Sequence, residues 1–208
     1  MSEKSSLNLL IRDISVPFTF AHIFQTLWTA AFRPKYKGNL MYVSAGLLGG
    51  TAFSLSKAHY VFANAANAGL YSTGQYIMNF FPLSLHFGWT TAATLVNFNG
   101  AIASNPNISS KSVAIAGHVS VVLATALGVS ISIIRSAPVY GSVIAWALLA
   151  VEDGMNTRMK LMMKEKNKGV NSDLMKQIKT QKLLSKIGAY MCIGTTGALS
   201  MYSLIFKK

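Results

Sequence analysis

The charges of this chain are segregated from its apolar residues along the sequence, and that limits what it can fold into. The runs 39–56, 81–103, 112–134, 138–151 and 187–206 hold no Lys, Arg, Asp or Glu, whereas half of the charged residues fall in the single block 152–186. A soluble domain spreads its charges to cover its surface. Here 51% of residues are apolar and only 12% charged, with a mean hydropathy of +0.39, which is too apolar for an ordinary soluble fold. Most of these runs are long enough for a helix to cross a bilayer.

The pattern predicts an all-α membrane protein. It has a bundle of about five transmembrane helices, an N-terminal interfacial amphipathic helix and a basic helical loop before the last span. Residues 1–38 form the N-terminal segment, in which Phe18, Phe20, Ile23, Phe24, Leu27 and Trp28 recur at helical spacing. Two readings stand side by side: a helix in the membrane interface anchored by Trp28, or a helix packed on a partner protein. Residues 39–153 form a four-span region with spans at 39–60, 81–103, 112–134 and 137–153. Residues 60–80, rich in Ala, Asn and Tyr, read as a short surface helix plus a loop, which leaves the number of spans between four and six. Ser136-Ala137-Pro138 reads as a tight turn. Residues 154–186 form a basic extramembrane helical loop: a solvated extension of the preceding helix, a break at 169–172 with Ser172 as a cap, and a second helix from Asp173 onward. The fifth span and a short basic tail occupy 187–208.

Five spans put the N-terminus, the 104–111 turn and the 154–186 loop on one side, with fifteen of the nineteen Lys and Arg. That is a strong positive-inside bias. A four-span arrangement without 39–56 would put the two most basic segments on opposite faces. The basic side is then cytoplasm, mitochondrial matrix or plastid stroma.

The net charge of +13 therefore reflects orientation and contact with anionic lipid headgroups or an acidic partner, not nucleic-acid binding. Arg33, Lys35, Lys37, Arg158, Lys160 and Lys164 are the candidate contacts. The N-terminus carries Glu3 and Asp13 and lacks a small-residue cleavage pattern, so it does not read as a secretory signal. Any entry into an organelle would use internal signals.

No catalytic constellation is visible, and the chain reads as a non-enzyme without metal or cofactor. Cys192 is the only cysteine and reads as a small apolar side chain. His22, His59, His86 and His118 are scattered, with no pair at helical i, i+3 or i+4 spacing. His86 and His118 lie in successive spans, where facing histidines could ligate a haem, but single histidines bonded inside the bundle are the simpler reading. Glu152 and Asp153, at a span end near Arg158 and Lys160, read as a salt-bridge cluster at the interface. Gly46 and Gly50 read as a helix-packing pair.

The run from Pro82 to Asn97, PLSLHFGWTTAATLVN, resembles the "P-F-S-x-x-x-G-W-x-x-A-x-x-x-N" helix of relatives of the TspO, or tryptophan-rich sensory-protein, family. Tyr140 to Leu149, with Trp146-Ala147, resembles the family's last helix. The resemblance covers residues 81–150. It implies a five-helix bundle that binds porphyrins and lipophilic ligands in a closed pocket, with His86, Trp89, Asn97 and Trp146 as pocket candidates. The chain departs from the family in having only three Trp, a basic loop and a further span.

Two functions follow as expectations. The first is a non-catalytic accessory subunit of a large bioenergetic complex, a respiratory or ATP-synthase complex. It would lie in the mitochondrial inner membrane, or in a plastid or bacterial one, among other membrane subunits and phospholipid such as cardiolipin. The alternative is a TspO-like receptor or transporter for a lipophilic ligand of the porphyrin or sterol class. A secondary transporter ranks below both, because the halves show no inverted repeat and mid-membrane positions carry no charge.

Overall fold

The computed structural model describes residues 3–33, 38, 40–70, 73–164 and 172–206. The described residues form helices only. These are α1 (Glu3–Ala31), α2 (Leu40–Asn67), the single turn α3 (Thr73–Gln75), α4 (Phe81–Ala103), α5 (Ser110–Ile134), α6 (Pro138–Lys164) and α7 (Ser172–Phe206), with a π turn, Tyr76–Phe80, leading into α4.

The helix ends follow from local chemistry. Gly69, at φ 70°, adopts the left-handed conformation after α2, and Leu70 N–H donates back to the Ala65 carbonyl. Ser109 caps α5 by accepting from Ser112 N–H at 3.1 Å. Arg135 and Ser136 make the turn into α6, with Ser136 at φ 49° and Pro138 at the first helical position.

Consecutive long helices run antiparallel. Ser44 meets Asn97 and His59 meets Ser84 across α2 and α4. Gly117 meets Gln181 and Gly128 meets Cys192 across α5 and α7, which are therefore parallel. The packing runs from α1 on α2, through α2 on α4, to a four-helix group of α4, α5, α6 and α7. Close approach depends on missing side chains: a Cβ on Gly128 would stand 2.6 Å from Cys192 Sγ and 2.9 Å from Ile144 Cγ2.

The bundle carries small polar groups inside and large apolar ones outside. Ser44, Thr51, Ser54, His59, Ser84, Thr90, Thr91, Ser132, Ser185 and Thr196 are buried, while Phe53, Val96, Val122, Ile133, Tyr190 and Met201 are exposed. Most of the buried hydroxyls bond to a carbonyl three or four residues back, as Thr91 does to Phe87 and Ser132 to Gly128. That distribution suits lipid, which cannot satisfy polar groups but solvates apolar ones. By length and apolar composition one described helix, α5, matches a membrane span. The others are diluted by the polar residues that they turn inward or carry past their apolar stretch.

Two expectations change and a third is refined. Residues 3–31 do not stand apart from the bundle: α1 lies along α2, with Ala21 buried and the Phe24 ring against Gly50. Most of residues 60–80 is helical, because α2 continues to Asn67 and the π turn feeds directly into α4. The 154–186 segment is helical at both ends, as the sequence suggests, and its second helix joins the last span without a break. Its start is the end of α6, and residues 172–186 begin an unbroken α7 of 35 residues. The proposed break at 169–171 lies outside the described residues, as do Lys207 and Lys208.

Candidate functional site

Gly88 brings α4 against α6: a Cβ there would stand 2.9 Å from Val143 Cβ and 3.2 Å from the Tyr140 carbonyl. Contact at that level sets the next residue, Trp89, beside Trp146. Their ring centroids are 5.6 Å apart, with planes inclined by 41°. Both indoles remain more than half exposed, at 52% and 57%. They floor a groove of about 630 Å³ whose walls are Phe81, Leu85, Val139 and Val143, with Ser142 and Ser200 as its hydroxyls. The volume lies in the range of small-molecule sites, roughly 300–1,000 Å³. The Ser142 hydroxyl already donates to the Pro138 carbonyl, leaving the floor apolar and aromatic.

The other two pocket candidates face elsewhere. Asn97 follows Trp89 by eight residues, which turns it about 80° around the helix. There its amide donates to the Ala93 carbonyl at 2.9 Å and its Oδ1 meets Ser44 of α2. His86 shares that side of α4 and lines a separate cavity of about 330 Å³ with Ile14, Phe18, Phe62 and Met78. The His22 ring lies 6.4 Å from it. The expected single closed pocket is thus an open groove at Trp89 and Trp146, with Asn97 and His86 on the α1–α2 side.

His86 and His118 do not face one another, since His118 Nε2 lies 3.2 Å from the Gln177 carbonyl of α7. Nor do Glu152 and Asp153 form the expected cluster: neither pairs with a described Lys or Arg, whereas Arg12 pairs with Asp13 at 3.4 Å on the surface. Arg158 lies too far along α6 from either acid for the i+3 or i+4 contact that a helix surface allows. Arg33, Arg158, Lys160 and Lys164 are exposed at helix ends, and Lys35 and Lys37 lie outside the described residues.

Sequence reasoning missed a polar cluster at the opposite end of the bundle from Lys164. Arg135, after α5, reaches α2. Its Nη1 donates to the Ser56 carbonyl at 3.0 Å and to His59 Nδ1 at 3.3 Å, and its Nη2 donates to Ser56 Oγ at 3.1 Å. The guanidinium lies over the Tyr60 and Phe87 rings. His59, fully buried, stands 3.1 Å from Ser84 Oγ, which donates to the Phe80 carbonyl in the π turn. The signal available in sequence was the lone Arg between two apolar runs.

The comparisons with known proteins agree with this arrangement. No curated protein and no solved structure matches the chain. The family model described as TSPO-like protein matches residues 1–159. That stretch holds α1, α2, α4, α5 and most of α6, five long helices, and leaves α7 as an addition. With the family model covering most of the chain and an inside-out helical bundle beneath it, this protein belongs to the TSPO-like family of integral membrane proteins.

Proposed function

We propose that this protein is a non-enzymatic membrane receptor or carrier for a lipophilic ligand of the porphyrin or sterol class. The observation that carries the proposal is the Trp89–Trp146 groove, on the two helices that resemble the family's ligand-binding ones. A flat, fused-ring ligand would stack on the two indoles and fill the apolar walls, gaining about 0.5–1.5 kcal/mol per aromatic contact beyond its area burial. Because the groove opens on the bundle's outer, lipid-suited face, such a ligand could enter from the bilayer without crossing water.

The family match supports this reading over an accessory subunit, and neither fold nor family supports a respiratory or ATP-synthase complex. We further propose that the ends after α1, α4 and α6 face the cytoplasm, matrix or stroma. The antiparallel order puts Lys4 and Arg12 at the far end of α1 from Arg33, so the basic bias becomes thirteen to six and keeps its sign. Arg33, Arg158, Lys160 and Lys164 would meet anionic headgroups such as cardiolipin there.

Tryptophan fluorescence of the detergent-solubilised Trp28→Phe protein, titrated with protoporphyrin IX, tests the ligand reading. Saturable quenching is the expected result, together with loss of porphyrin binding, followed by porphyrin absorbance, when both Trp89 and Trp146 are replaced by Leu. Porphyrin binding equal in the double variant would overturn it.

A further inference from the structure

We infer that a second cavity, between α4, α5, α6 and α7, binds a single-chain amphiphile with an uncharged hydrogen-bonding head. The cavity is about 230 Å³. At a water-sized volume of about 30 Å³ per group it holds roughly eight chain atoms. That suits an alkyl chain and excludes the fused rings that the Trp89–Trp146 groove would accept. Leu95, Val121, Leu148, Val151 and Met155 supply an apolar wall.

Three neutral polar side chains meet in the same cavity. Asn99 Nδ2 donates to the Leu95 carbonyl at 2.8 Å and to Ser120 Oγ at 2.7 Å. Both of its protons are then used and its Oδ1 stays free, as does the Ser120 hydroxyl proton, among the described residues. The Gln181 amide has no hydrogen-bond partner among the described residues, although it packs over Gly117, where a Cβ would stand 2.8 Å from its Oε1. Gly117 lies seven residues into α5, about 10 Å from the helix start. An amide at that depth among apolar helices is costly to leave unpaired. Asn99 Oδ1 accepts, Ser120 donates, and Gln181 does both. A hydroxyl or primary amide on an alkyl chain completes that set. Among the described residues no charged side chain lines the cavity to neutralise an anionic head.

Gln181 lies beyond residue 159, where the family match ends, so this site belongs to the chain's own α7 and is independent of the groove proposed above.

A photoreactive diazirine analogue of 1-octanol, added to the detergent-solubilised full chain, tests the inference, with labelled residues located by mass spectrometry. The expected result is saturable labelling of Val121, Val151 or Met155. 1-Octanol should compete at about tenfold lower concentration than octanoate, the scale of one buried hydrogen bond. Gln181→Leu should abolish that preference while leaving protoporphyrin quenching at Trp89 and Trp146 unchanged, so failure at one site is distinguishable from failure at the other. Ala147→Phe should block labelling by filling the cavity; if that variant misfolds, Gln181→Leu alone decides. Labelling confined to lipid-facing residues such as Val122 and Ile133, equal competition by the two competitors, or an octanol preference retained in Gln181→Leu overturns the inference.

Discussion

Arg135 fixes the tautomer of His59. A guanidinium can only donate, so His59 Nδ1, 3.3 Å from Arg135 Nη1, must accept. The ring proton therefore sits on Nε2 and points at Ser84 Oγ, which passes its own proton to the Phe80 carbonyl. The chain of bonds runs in one direction from the α5–α6 turn, through α2, to the π turn before α4. It ties three helices together at one end of the bundle without a carboxylate.

This relationship predicts a spectroscopic result. In the ¹⁵N-histidine spectrum of the solubilised protein at neutral pH, His59 should show a protonated Nε2 and an unprotonated Nδ1. Arg135→Gln should disturb that pattern, whereas Lys57→Gln, whose ammonium lies over the Phe53 ring, should leave it unchanged. A His59 with the proton on Nδ1 would contradict the bond geometry.

Removing the guanidinium should also cost stability. Arg135→Ala leaves the Ser56 hydroxyl and the buried His59 Nδ1 lone pair without the guanidinium in a partly buried site, a loss of about 1–3 kcal/mol. Thermal unfolding in mild detergent would show a lower midpoint. Arg135→Lys should recover only part of it, because an ammonium cannot reproduce the fork that holds Ser56 and His59 together.

Gly88 should control the Trp89–Trp146 pair. Gly88→Val places side-chain atoms where Val143 now sits and forces α4 and α6 apart, at about 1–3 kcal/mol for overpacking. The measurable outcome is weaker protoporphyrin quenching together with a lower unfolding midpoint. Replacing Asn97 or His86 by Ala should leave that quenching unchanged, since both residues turn toward α1 and α2.

Between α4 and α5, the Asn99–Ser120 bond should be worth little despite its 2.7 Å length. Hydrogen bonds between membrane helices average about 0.6 kcal/mol, because an unfolded chain in the bilayer also finds partners. Asn99→Leu should therefore lower stability by under about 1.5 kcal/mol in a reversible unfolding assay. Gly128→Ala should cost more, because its new methyl meets Cys192 and Ile144 at once.

The sequence by itself determined the helical character, the apolar runs and the basic bias. Uncharged stretches of helical length and the Ser136-Ala137-Pro138 turn act locally, through backbone geometry and solvation, and can be read one segment at a time. The Pro82–Asn97 and Tyr140–Leu149 motifs likewise carried the family, because they sit on single helices. Only the tertiary structure decided that α1 joins the bundle, since an amphipathic face does not say what covers it. It also decided that Trp89 and Trp146 share a groove while Asn97 does not. That outcome depends on which helix Gly88 admits, and on about 80° of rotation that a motif written along one line does not display. Arg135 with His59, and Gln181 with Gly117, are pairs from distant parts of the chain. Their chemistry exists only where packing brings the helices together, because a hydrogen bond requires both partners within about 3.5 Å.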